Sequence, residues 1–453
     1  EIIRLEQNYR STGVILAAAN SVISRNESRL GKELWTEAPD GDLINIYAAF
    51  NELDEARFVA EQIQSWVDEG NRRSEVAILY RSNAQSRVME EALLRSGIPY
   101  RIYGGLRFFD RAEIKNALAY LRLIIYRNDD TAFERVVNVP PRGIGNRTVE
   151  KVREVARDQG CSLWDAAVQV VEGKLLAARA ANAITEFIKL INQLDESTQG
   201  LELHEQAEHA IESSTLLSHH KNEKGEKGQT RVENLKELVS ACQQFGSEVE
   251  LDEDQSLLNA FVDHAVLESG EGQADEFEDS VQLMTLHSAK GLEFPTVFMV
   301  GVEQGLFPSR ASVESLEKIE EERRLCYVGI TRAMQNLTIC YAESRRLYGK
   351  ETLNRPSQFL REIPKETMQE VRVNSSVVRP TTFSSRGVNE LSDREVEFEG
   401  VYFQIGQQVR HHTFGEGYIL NCEGNGPRAR IEVNFDLEGN KWLMAQYAKL
   451  EII

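Results

Sequence analysis

Apolar residues in the first hundred positions alternate between the spacing of helices and the spacing of strands. Residues 11–24 and 52–67 place apolar side chains three and four positions apart, as one face of a helix does. Residues 43–47 and 75–82 form short apolar runs that are typical of buried strands. Because strands that alternate with helices build a parallel sheet covered by helices, the pattern predicts an α/β lobe that begins in residues 1–103.

The pattern changes after this first part of the lobe. Residues 104–276 read as one helix after another, with few β-branched runs. Strand-like runs then return, for example at 281–287 and 296–301. The economical interpretation is one α/β domain of the parallel-sheet type, residues 1–103 and 277–365, that is interrupted by an all-α insertion.

The last ninety residues differ in composition from the rest. Residues 366–400 contain Ser, Thr and Val but few large apolar groups, which predicts a flexible linker. Residues 401–453 contain an alternating run at 429–435 and the turn sequences GNGP and LEGN. We therefore expect a small SH3-like β-barrel at the end of the chain.

The overall composition is that of a soluble globular protein. Of the 453 residues, 41% are hydrophobic and 27% are charged, which allows two to four domains. No apolar run is long enough to cross a bilayer, and the N-terminus has no signal-peptide pattern. Since residue 1 is not Met, we expect the chain to begin inside a longer protein.

Cysteine and histidine usage argues against metal and disulfide chemistry. The five Cys are scattered without a CxxC pair, and the eight His form neither an HExxH motif nor a Cys/His cluster. This pattern argues against a disulfide framework or a zinc knuckle, and it predicts no metal site. It also favours a reducing compartment, and we expect the protein in the cytoplasm.

The net charge of −20 is unfavourable for a nucleic-acid partner, because phosphates attract Lys and Arg. No basic residue lies between Lys236 and Lys290, and we interpret this acidic stretch as a solvated surface. Basic residues are concentrated locally elsewhere, at Arg101, Arg107 and Arg111, at Arg142 and Arg147, and at Arg345, Arg346 and Lys350. Such patches would allow an acidic protein to hold DNA.

The first motif with candidate chemistry is LEQNYRST, residues 5–12, which leads into a predicted helix. The guanidinium of Arg10 can present a planar, charged fork to a phosphate. The ring of Tyr9 offers a flat face for stacking a base. Taken alone, an Arg in this position more often forms a surface ion pair.

The second motif is TLHSAKGLEF, residues 285–294, between two apolar strands. Its small residues would let backbone N–H groups approach an anion closely, as in phosphate-binding nests. Glu293 could accept hydrogen bonds from sugar hydroxyls. The alternative is a tight turn between strands in which His287 bonds to the backbone.

The third motif is EERRLCYVGITRA, residues 321–333. Leu325 and Val328 recur at helical spacing, so we expect them to face the core. Arg332, near the helix end, could interact with the negative end of the helix dipole, or it could reach across a cleft as an arginine finger.

These three motifs, in this order, resemble motifs IV, V and VI of superfamily 1A helicases. The resemblance is to the UvrD/PcrA/Rep family, nearest to the DNA helicase II (UvrD) group, from motif IV onward. It extends over nearly the whole chain and includes residues 80–87, 100–123, 141–148 and 223–235. It implies a RecA-like lobe for the α/β domain and a duplex-binding role for the helical insertion.

The resemblance implies roles in ATP binding for five residues. Tyr9 would stack on the adenine, Arg10 would contact the γ-phosphate, and Arg332 would be the arginine finger and so, with Arg10, catalytic. Gly291 would approach the nucleotide through its backbone, and Glu293 would hold the ribose.

The resemblance also implies DNA contacts. His287 and Lys290 would lie on the DNA side of the second motif. In residues 142–148 the glycines permit a tight turn, and Asn146 is expected to cap a helix whose N-terminus binds a DNA phosphate. The implied duplex-binding residues are Gly143, Ile144, Gly145, Arg147 and Thr148. The alternative is an ordinary corner between two helices.

Two further elements are implied at the end of the chain. Residues 341–350 resemble the strand-separation hairpin of the family, with Tyr348 stacked on the last base pair. Residues 401–453 resemble the Tudor-like domain, which serves partner contacts, RNA polymerase in particular. By residue type alone, Phe414 and Trp442 could simply form the core of this barrel.

No GxxxxGK[ST] motif occurs in the sequence, so the phosphate cradle and the Mg²⁺ ligands are expected in an absent N-terminal lobe. The resemblance implies an ATP-dependent 3′–5′ DNA helicase that binds single-stranded and duplex DNA and acts in nucleotide excision and mismatch repair, with other repair proteins as partners. This chain alone is expected to be inactive. The alternative is an ATP-independent module that binds DNA or RNA polymerase. A helicase–nuclease subunit is disfavoured, because the chain ends in a small β-module.

Overall fold

The structure is a computed structural model in which two compact units, Glu1–Val378 and Arg379–Ile453, can be distinguished. The residues that it describes are 6–27, 34–249, 256–270, 278–310, 312–313, 315–347, 350–371, 395–398, 401–404, 408–411, 415–423, 430–435, 439–444 and 450–452. None of the described helices is long and apolar enough to cross a membrane.

The first unit contains a parallel sheet, a hairpin and all of the helices in the described part of the chain. Its strands are β1 (Ile44–Ala49), β2 (Val76–Tyr80), β3 (Tyr100–Ile102), β4 (Val281–Thr285), β5 (Phe294–Met299), β6 (Ala333–Ala342), β7 (Ser344–Leu347), β8 (Lys350–Leu353) and β9 (Met368–Glu370). The helices are α1 (Gly13–Ile23), α2 (Glu52–Asp68), α3 (Ser86–Arg95), α4 (Ala112–Ile125), α5 (Asp130–Val136), α6 (Asn146–Gln159), α7 (Leu163–Glu172), α8 (Ala178–Thr198), α9 (Leu203–Ser213), α10 (Leu216–Lys221), α11 (Glu226–Glu248), α12 (Leu257–Gly270), α13 (Leu316–Ile330) and α14 (Gln358–Glu362).

The sheet has seven strands in the order β3-β4-β2-β5-β6-β1-β9, and all neighbouring pairs are parallel. Every residue of the interior strand β2 is buried, because successive side chains point to opposite faces and both faces are covered. Ala77 and Leu79 pack with residues of α1, α13 and α14, whereas Ile78 and Tyr80 pack with residues of α2 and α3.

The helical insertion, α4 to α12, leaves the sheet after β3 and returns at β4. It has a core of its own, to which Phe133, Phe187 and Phe261 contribute fully buried rings. The predicted α/β fold class with an all-α insertion is therefore confirmed.

The lobe extends further along the chain than the sequence indicated. Strand β9 (Met368–Glu370) pairs in parallel with β1, beyond the boundary expected at residue 365. This edge strand was missed because its three residues are only partly buried or exposed and carry no apolar run. Most of the linker predicted at 366–400 lies outside the described residues.

The second unit is built from antiparallel strands. They are β10 (Glu395–Phe398), β11 (Val401–Gln404), β12 (Gln408–His411), β13 (Gly415–Glu423), β14 (Arg430–Phe435), β15 (Gly439–Met444) and β16 (Glu451–Ile452). Strands β10 and β11 pair with each other, and the other five form a sheet in the order β15-β14-β13-β12-β16. Buried Val409, Ile419 and Val433 belong to this unit. The side chains of Phe414 and Trp442 are not among those described.

Candidate functional site

The second and third motifs meet at the amino ends of two neighbouring strands. Glu293 directly precedes β5 and Arg332 directly precedes β6, which are adjacent and parallel. The backbone N–H of Phe294 donates to the carbonyl of Arg332 at 3.0 Å. Two residues that are far apart in sequence are thereby brought to one place.

The first motif is attached to the same place. Ser11 donates through Oγ to the carbonyl of Ala333 at 2.7 Å, and the N–H of Thr12 donates to Met334 at 3.2 Å. The side chain of Asn8 accepts hydrogen bonds from the N–H groups of Arg10 and Ser11, which closes a local turn. All three motifs therefore contribute to one surface.

Arg10 and Glu293 form an ion pair in this surface. The Nε atom of Arg10 donates to Oε2 of Glu293 at 2.6 Å, and its Nη1 atom donates to the carbonyl of Thr331 at 3.3 Å. The Arg10 side chain is 26% exposed and that of Glu293 is 51% exposed, so an incoming ligand can reach both.

Arg332 is more deeply placed. Its guanidinium donates to the carbonyl of Val328 at 3.0 Å, to the carbonyl of Leu292 at 2.8 Å and to the hydroxyl of Thr331 at 3.1 Å. Burial lowers its pKa from the ordinary value, and the charge of Arg10 lowers the pKa further, whereas Glu293 opposes this. The bond to Val328, in the last turn of α13, is the helix-end interaction that the sequence suggested as one alternative.

The other two candidate nucleotide contacts are open. Tyr9 is 83% exposed, and its hydroxyl donates to Oε1 of Gln7 at 2.6 Å, so its ring is free for stacking. Gly291 has φ +92°, and a Cβ atom there would meet nothing within 4 Å. Since few other residues adopt this conformation, glycine both permits the turn and leaves the backbone accessible.

His287 and Lys290 lie in the turn after β4, and both are exposed. Burial of part of the His287 ring lowers its pKa, as does the charge of Arg81, whereas Glu226 and Glu322 raise it. The charged groups near His287 are Arg81, Glu226 and Glu322, whereas Glu293 is paired with Arg10. The two ends of the second motif therefore lie in different surroundings.

The charged residues at the start of the third motif tie α13 to the rest of the lobe. Glu322 accepts two hydrogen bonds from Arg81, at 2.8 and 2.9 Å. Arg323 donates to both oxygens of Glu362, at 2.8 and 2.9 Å. These pairs were not foreseen, because each joins segments distant in sequence and the sequence has no local signal for them.

Residues 142–148 form a turn before α6, but the cap differs from the prediction. The N-cap is Gly145, and Asn146 is the first helical residue and makes no capping bond. The carbonyl of Gly145 accepts hydrogen bonds from the N–H groups of Thr148 and Val149. Asn146 does not cap because the extended backbone that a cap requires is adopted one residue earlier.

The candidate duplex contacts in this turn are divided between surface and interior. Gly143, Gly145 and Arg147 are exposed, and Gly143 has φ +81°. Ile144 is buried in the core of the insertion, and its N–H donates to the side chain of Asn138. Thr148 is buried as well, and its N–H donates to the carbonyl of Gly145, so neither residue offers a free side chain or N–H group to a ligand.

Four of the eight basic residues in the suggested patches are buried or bound to protein acceptors. Arg107 and Arg111 are buried where the insertion meets the lobe, and Arg111 donates to Asn234 at 2.9 Å. Arg142 donates to three backbone carbonyls. Arg345 is buried between two carboxylates. These arginines bind protein acceptors and do not form DNA-binding patches, whereas Arg147 is exposed.

For two further groups of residues, a hairpin and a histidine cluster, the structure differs from the sequence prediction. Strands β7 and β8 form a hairpin, but it spans residues 344–353 and not the predicted 341–350, because residues 341 and 342 belong to β6. Tyr348 lies outside the described residues. Among the described residues, His219, His220 and Glu223 bring possible metal ligands within 4.8 Å, a group that was not predicted. Both oxygens of Glu223 accept hydrogen bonds from Arg231, at 2.7 and 2.8 Å, so this carboxylate is already neutralised by a guanidinium.

Comparison with known families identifies two domains. Residues 3–344 match the model of the UvrD-like helicase C-terminal domain, and residues 405–451 match that of the PcrA/UvrD tudor domain.

Individual relatives are similar over the whole chain. DNA helicase II of Escherichia coli (strain K12) is 56% identical over 453 residues, which cover 100% of this chain and 62% of the relative. DNA helicase II of Haemophilus influenzae is 53% identical, with 100% and 61% covered. ATP-dependent DNA helicase PcrA of Staphylococcus aureus (strain Mu50) is 38% identical, with 99% and 62% covered. The chain thus spans a little over three fifths of the length of these relatives.

Proposed function

Because this chain belongs to the UvrD-like helicase family, we propose that it is the C-terminal part of an ATP-dependent DNA helicase and translocase that moves 3′ to 5′. Its membership confirms the resemblance drawn from the three motifs. The tudor match confirms the type of the small C-terminal module.

The observation that most supports an ATP-driven function is the cluster of Arg10, Glu293 and Arg332 beside the exposed ring of Tyr9. Two guanidinium groups suit a polyphosphate, a carboxylate suits sugar hydroxyls, and an aromatic face suits a base. In this proposal Arg10 contacts the γ-phosphate, Glu293 holds the ribose, and Gly291 approaches the nucleotide through its backbone.

Arg332 is proposed to stabilise the charge that develops on the transferring phosphoryl group. Its three bonds to the protein hold the guanidinium in one orientation, which reduces the entropy lost when it meets the phosphate. The low exposure of Arg332, 8%, also strengthens its electrostatic effect.

The cluster does not fit Mg²⁺, the metal that accompanies ATP in such enzymes. Mg²⁺ prefers several oxygen ligands, and the carboxylate here, Glu293, is paired with Arg10. Since the sequence also has no GxxxxGK[ST] motif, we assign the phosphate cradle and the metal ligands to other residues of the complete protein.

DNA binding is proposed for two surfaces. His287 and Lys290 are exposed and would contact single-stranded DNA. Since the same motif carries Gly291 and Glu293, nucleotide binding and DNA binding would be coupled through it. The N-terminus of α6 would hold duplex phosphates through backbone N–H groups and the exposed side chain of Arg147. The hairpin β7–β8, with Tyr348, would separate the strands.

The biological setting is proposed from the same family membership. We place the complete protein in the cytoplasm, in nucleotide excision and mismatch repair, with repair proteins as partners. Residues 401–453 would contact RNA polymerase. The second candidate is an ATP-independent module that binds DNA or RNA polymerase, a role that the tudor match at residues 405–451 would also suit.

One experiment separates the two candidates. The complete protein should hydrolyse ATP when single-stranded DNA is added, and it should unwind a duplex with a 3′ tail but not one with a 5′ tail. This chain alone, with ATP, Mg²⁺ and single-stranded DNA, should release no phosphate. A complete protein that binds DNA without hydrolysing ATP would favour the second candidate.

A further inference from the structure

A buried arginine lies at the root of the hairpin β7–β8. Arg345 is the second residue of β7, and it donates through Nε to Glu303 at 2.6 Å and through Nη2 to Glu55 at 2.6 Å. Arg345 is 5% exposed and both carboxylates are 0% exposed. One guanidinium thus joins two carboxylates inside the protein.

Glu303 collects hydrogen bonds from both sides of the hairpin. It accepts from the N–H of Ala342, the last residue of β6, at 2.7 Å, and from Arg345 in β7. It also accepts from the side-chain amide of Asn354, which directly follows β8, at 2.8 Å. The incoming and outgoing ends of the hairpin are therefore fastened to a single side chain.

Glu55 connects this root to the body of the lobe. It lies in α2, and its other oxygen accepts from the N–H of Gly301 at 2.8 Å. The neighbouring Glu52 accepts from the N–H of Arg346 at 3.1 Å. The hairpin is thus held on α2 and on the loop after β5.

Stability alone is a poor explanation for such a group. Burying charges has a large desolvation cost, and well-packed apolar residues often stabilise a protein as much. What ionic hydrogen bonds provide is direction, because each bond weakens steeply when its geometry is lost. Their convergence on Glu303 therefore points to a fixed orientation of the hairpin.

We propose that Glu303 is a positioning residue for strand separation, which with Arg345 holds the hairpin at a fixed angle so that movement of the lobe acts on the duplex junction. This inference rests on the proposed function of the hairpin. It concerns unwinding and not ATP hydrolysis, since none of the described contacts of Glu303 is with Arg10, Glu293 or Arg332.

The test is Glu303→Gln in the complete protein. A glutamine has one acceptor oxygen and an amide that donates, so it cannot accept from Ala342, Arg345 and Asn354 together. The rate of unwinding, measured by stopped-flow fluorescence on a duplex with a 3′ tail, should fall about tenfold or more. The kcat of ATP hydrolysis and the KM for single-stranded DNA should change less than about twofold.

Glu343→Gln is the matched control. Glu343 lies at the root of the same hairpin, but its side chain is exposed and its described hydrogen bonds are made by its backbone N–H and carbonyl, so both activities should stay at the wild-type level. Arg345→Lys is the second variant. A lysine keeps the charge but cannot offer a planar fork to two carboxylates. The Arg345→Lys variant should therefore lose unwinding to the same extent as Glu303→Gln and keep its ATP hydrolysis.

Several results would overturn the inference. One is wild-type unwinding by both Glu303→Gln and Arg345→Lys. Another is a parallel loss of ATP hydrolysis and unwinding in both, which would mean that the network only supports the fold. A wild-type protein that does not unwind DNA at all would instead refute the proposed function.

Discussion

Arg10 and Glu293 are 283 positions apart in the sequence, and the Nε atom of Arg10 lies 2.6 Å from Oε2 of Glu293. In the proposed function the first residue contacts the γ-phosphate and the second holds the ribose, at opposite ends of the same nucleotide. The pair therefore has to separate when ATP binds. Since both side chains are partly exposed, the ion pair contributes little stability, and breaking it has a low cost.

Arg10→Lys in the complete protein should lower the kcat of ATP hydrolysis about 10- to 100-fold, because a lysine keeps the charge but loses the planar fork. Glu293→Gln is the companion variant, since it frees the guanidinium and leaves it intact. It should raise the KM for ATP and change kcat less than about threefold. Steady-state phosphate release measures both parameters, and an equal fall of kcat in the two variants would contradict the assignment.

Arg332→Ala should reduce ATP hydrolysis about 10³-fold, which is the order expected for an arginine finger. Binding of single-stranded DNA, measured by fluorescence anisotropy, should stay within about twofold of wild type. Arg361→Ala provides the control, because Arg361 is exposed in α14 and outside the three motifs. If Arg332→Ala retained most of its turnover, the helix-end role of Arg332 would be sufficient to explain its position.

Arg147→Ala should weaken duplex binding equally for different sequences and lower the slope of log K against log salt by about one. Arg153 lies on the same helix, but its guanidinium is paired with Glu134 and Glu150. Arg153→Ala should therefore leave the salt slope nearly unchanged. Titrations of two unrelated duplexes at several salt concentrations give the comparison, and equal slopes for Arg147→Ala and wild type would argue against phosphate contact.

Burial raises the pKa of Glu55 above its ordinary value of 4.5, and Glu303 raises it further, whereas Arg345 lowers it. As pH rises above 4.5, the unfolded chain releases this proton first, while the folded protein retains it up to the raised pKa. The contribution of Glu55 to the free energy of unfolding should therefore be fully present below pH 4.5 and decline as pH rises through the folded pKa.

Glu55→Gln should remove this decline, which cannot exceed about 1.4 kcal/mol per pH unit for one proton. Urea unfolding of wild type and variant at a series of pH values measures it. Two charged groups shift the pKa of Glu55, namely Arg345 and Glu303, and the charge of Glu55 in turn raises the pKa of Cys340. The variant leaves all three residues in place. Parallel curves for the two proteins would show that Glu55 keeps an ordinary pKa.

The parts of the fold that the sequence predicted are those with strong local patterns. Strand β2 has a continuous apolar run and was predicted, whereas β9 consists of three half-exposed or exposed residues and was missed. The same limit applies to the helix cap before α6. Gly145 and Asn146 are both acceptable cap residues, and only the backbone conformation decides between them.

The sequence predicted which residues form the candidate site but not how they contact one another. The motifs named Arg10, Glu293 and Arg332, yet the ion pair between the first two requires contact across 283 positions. For the same reason the sequence pattern predicts that Arg345 belongs to a basic surface patch, although it is buried. Its partner Glu55 is 290 positions away, and the burial of an arginine depends on acceptors that no local window contains.

The place at which the helical insertion enters the lobe has a consequence for how such proteins diversify. The chain leaves the sheet after β3 and returns at β4, and these two strands are hydrogen-bonded neighbours. The strands are parallel, so the chain leaves at the carboxyl end of β3 and returns at the amino end of β4, but β3 is only three residues long and the two points are therefore close together. This is the situation in which a domain accepts a large insertion with little disturbance. Evolution could enlarge, shorten or exchange this insertion while the remaining strands keep their register. Under the proposed function, the way in which duplex DNA is held could then change while the ATP site stays the same.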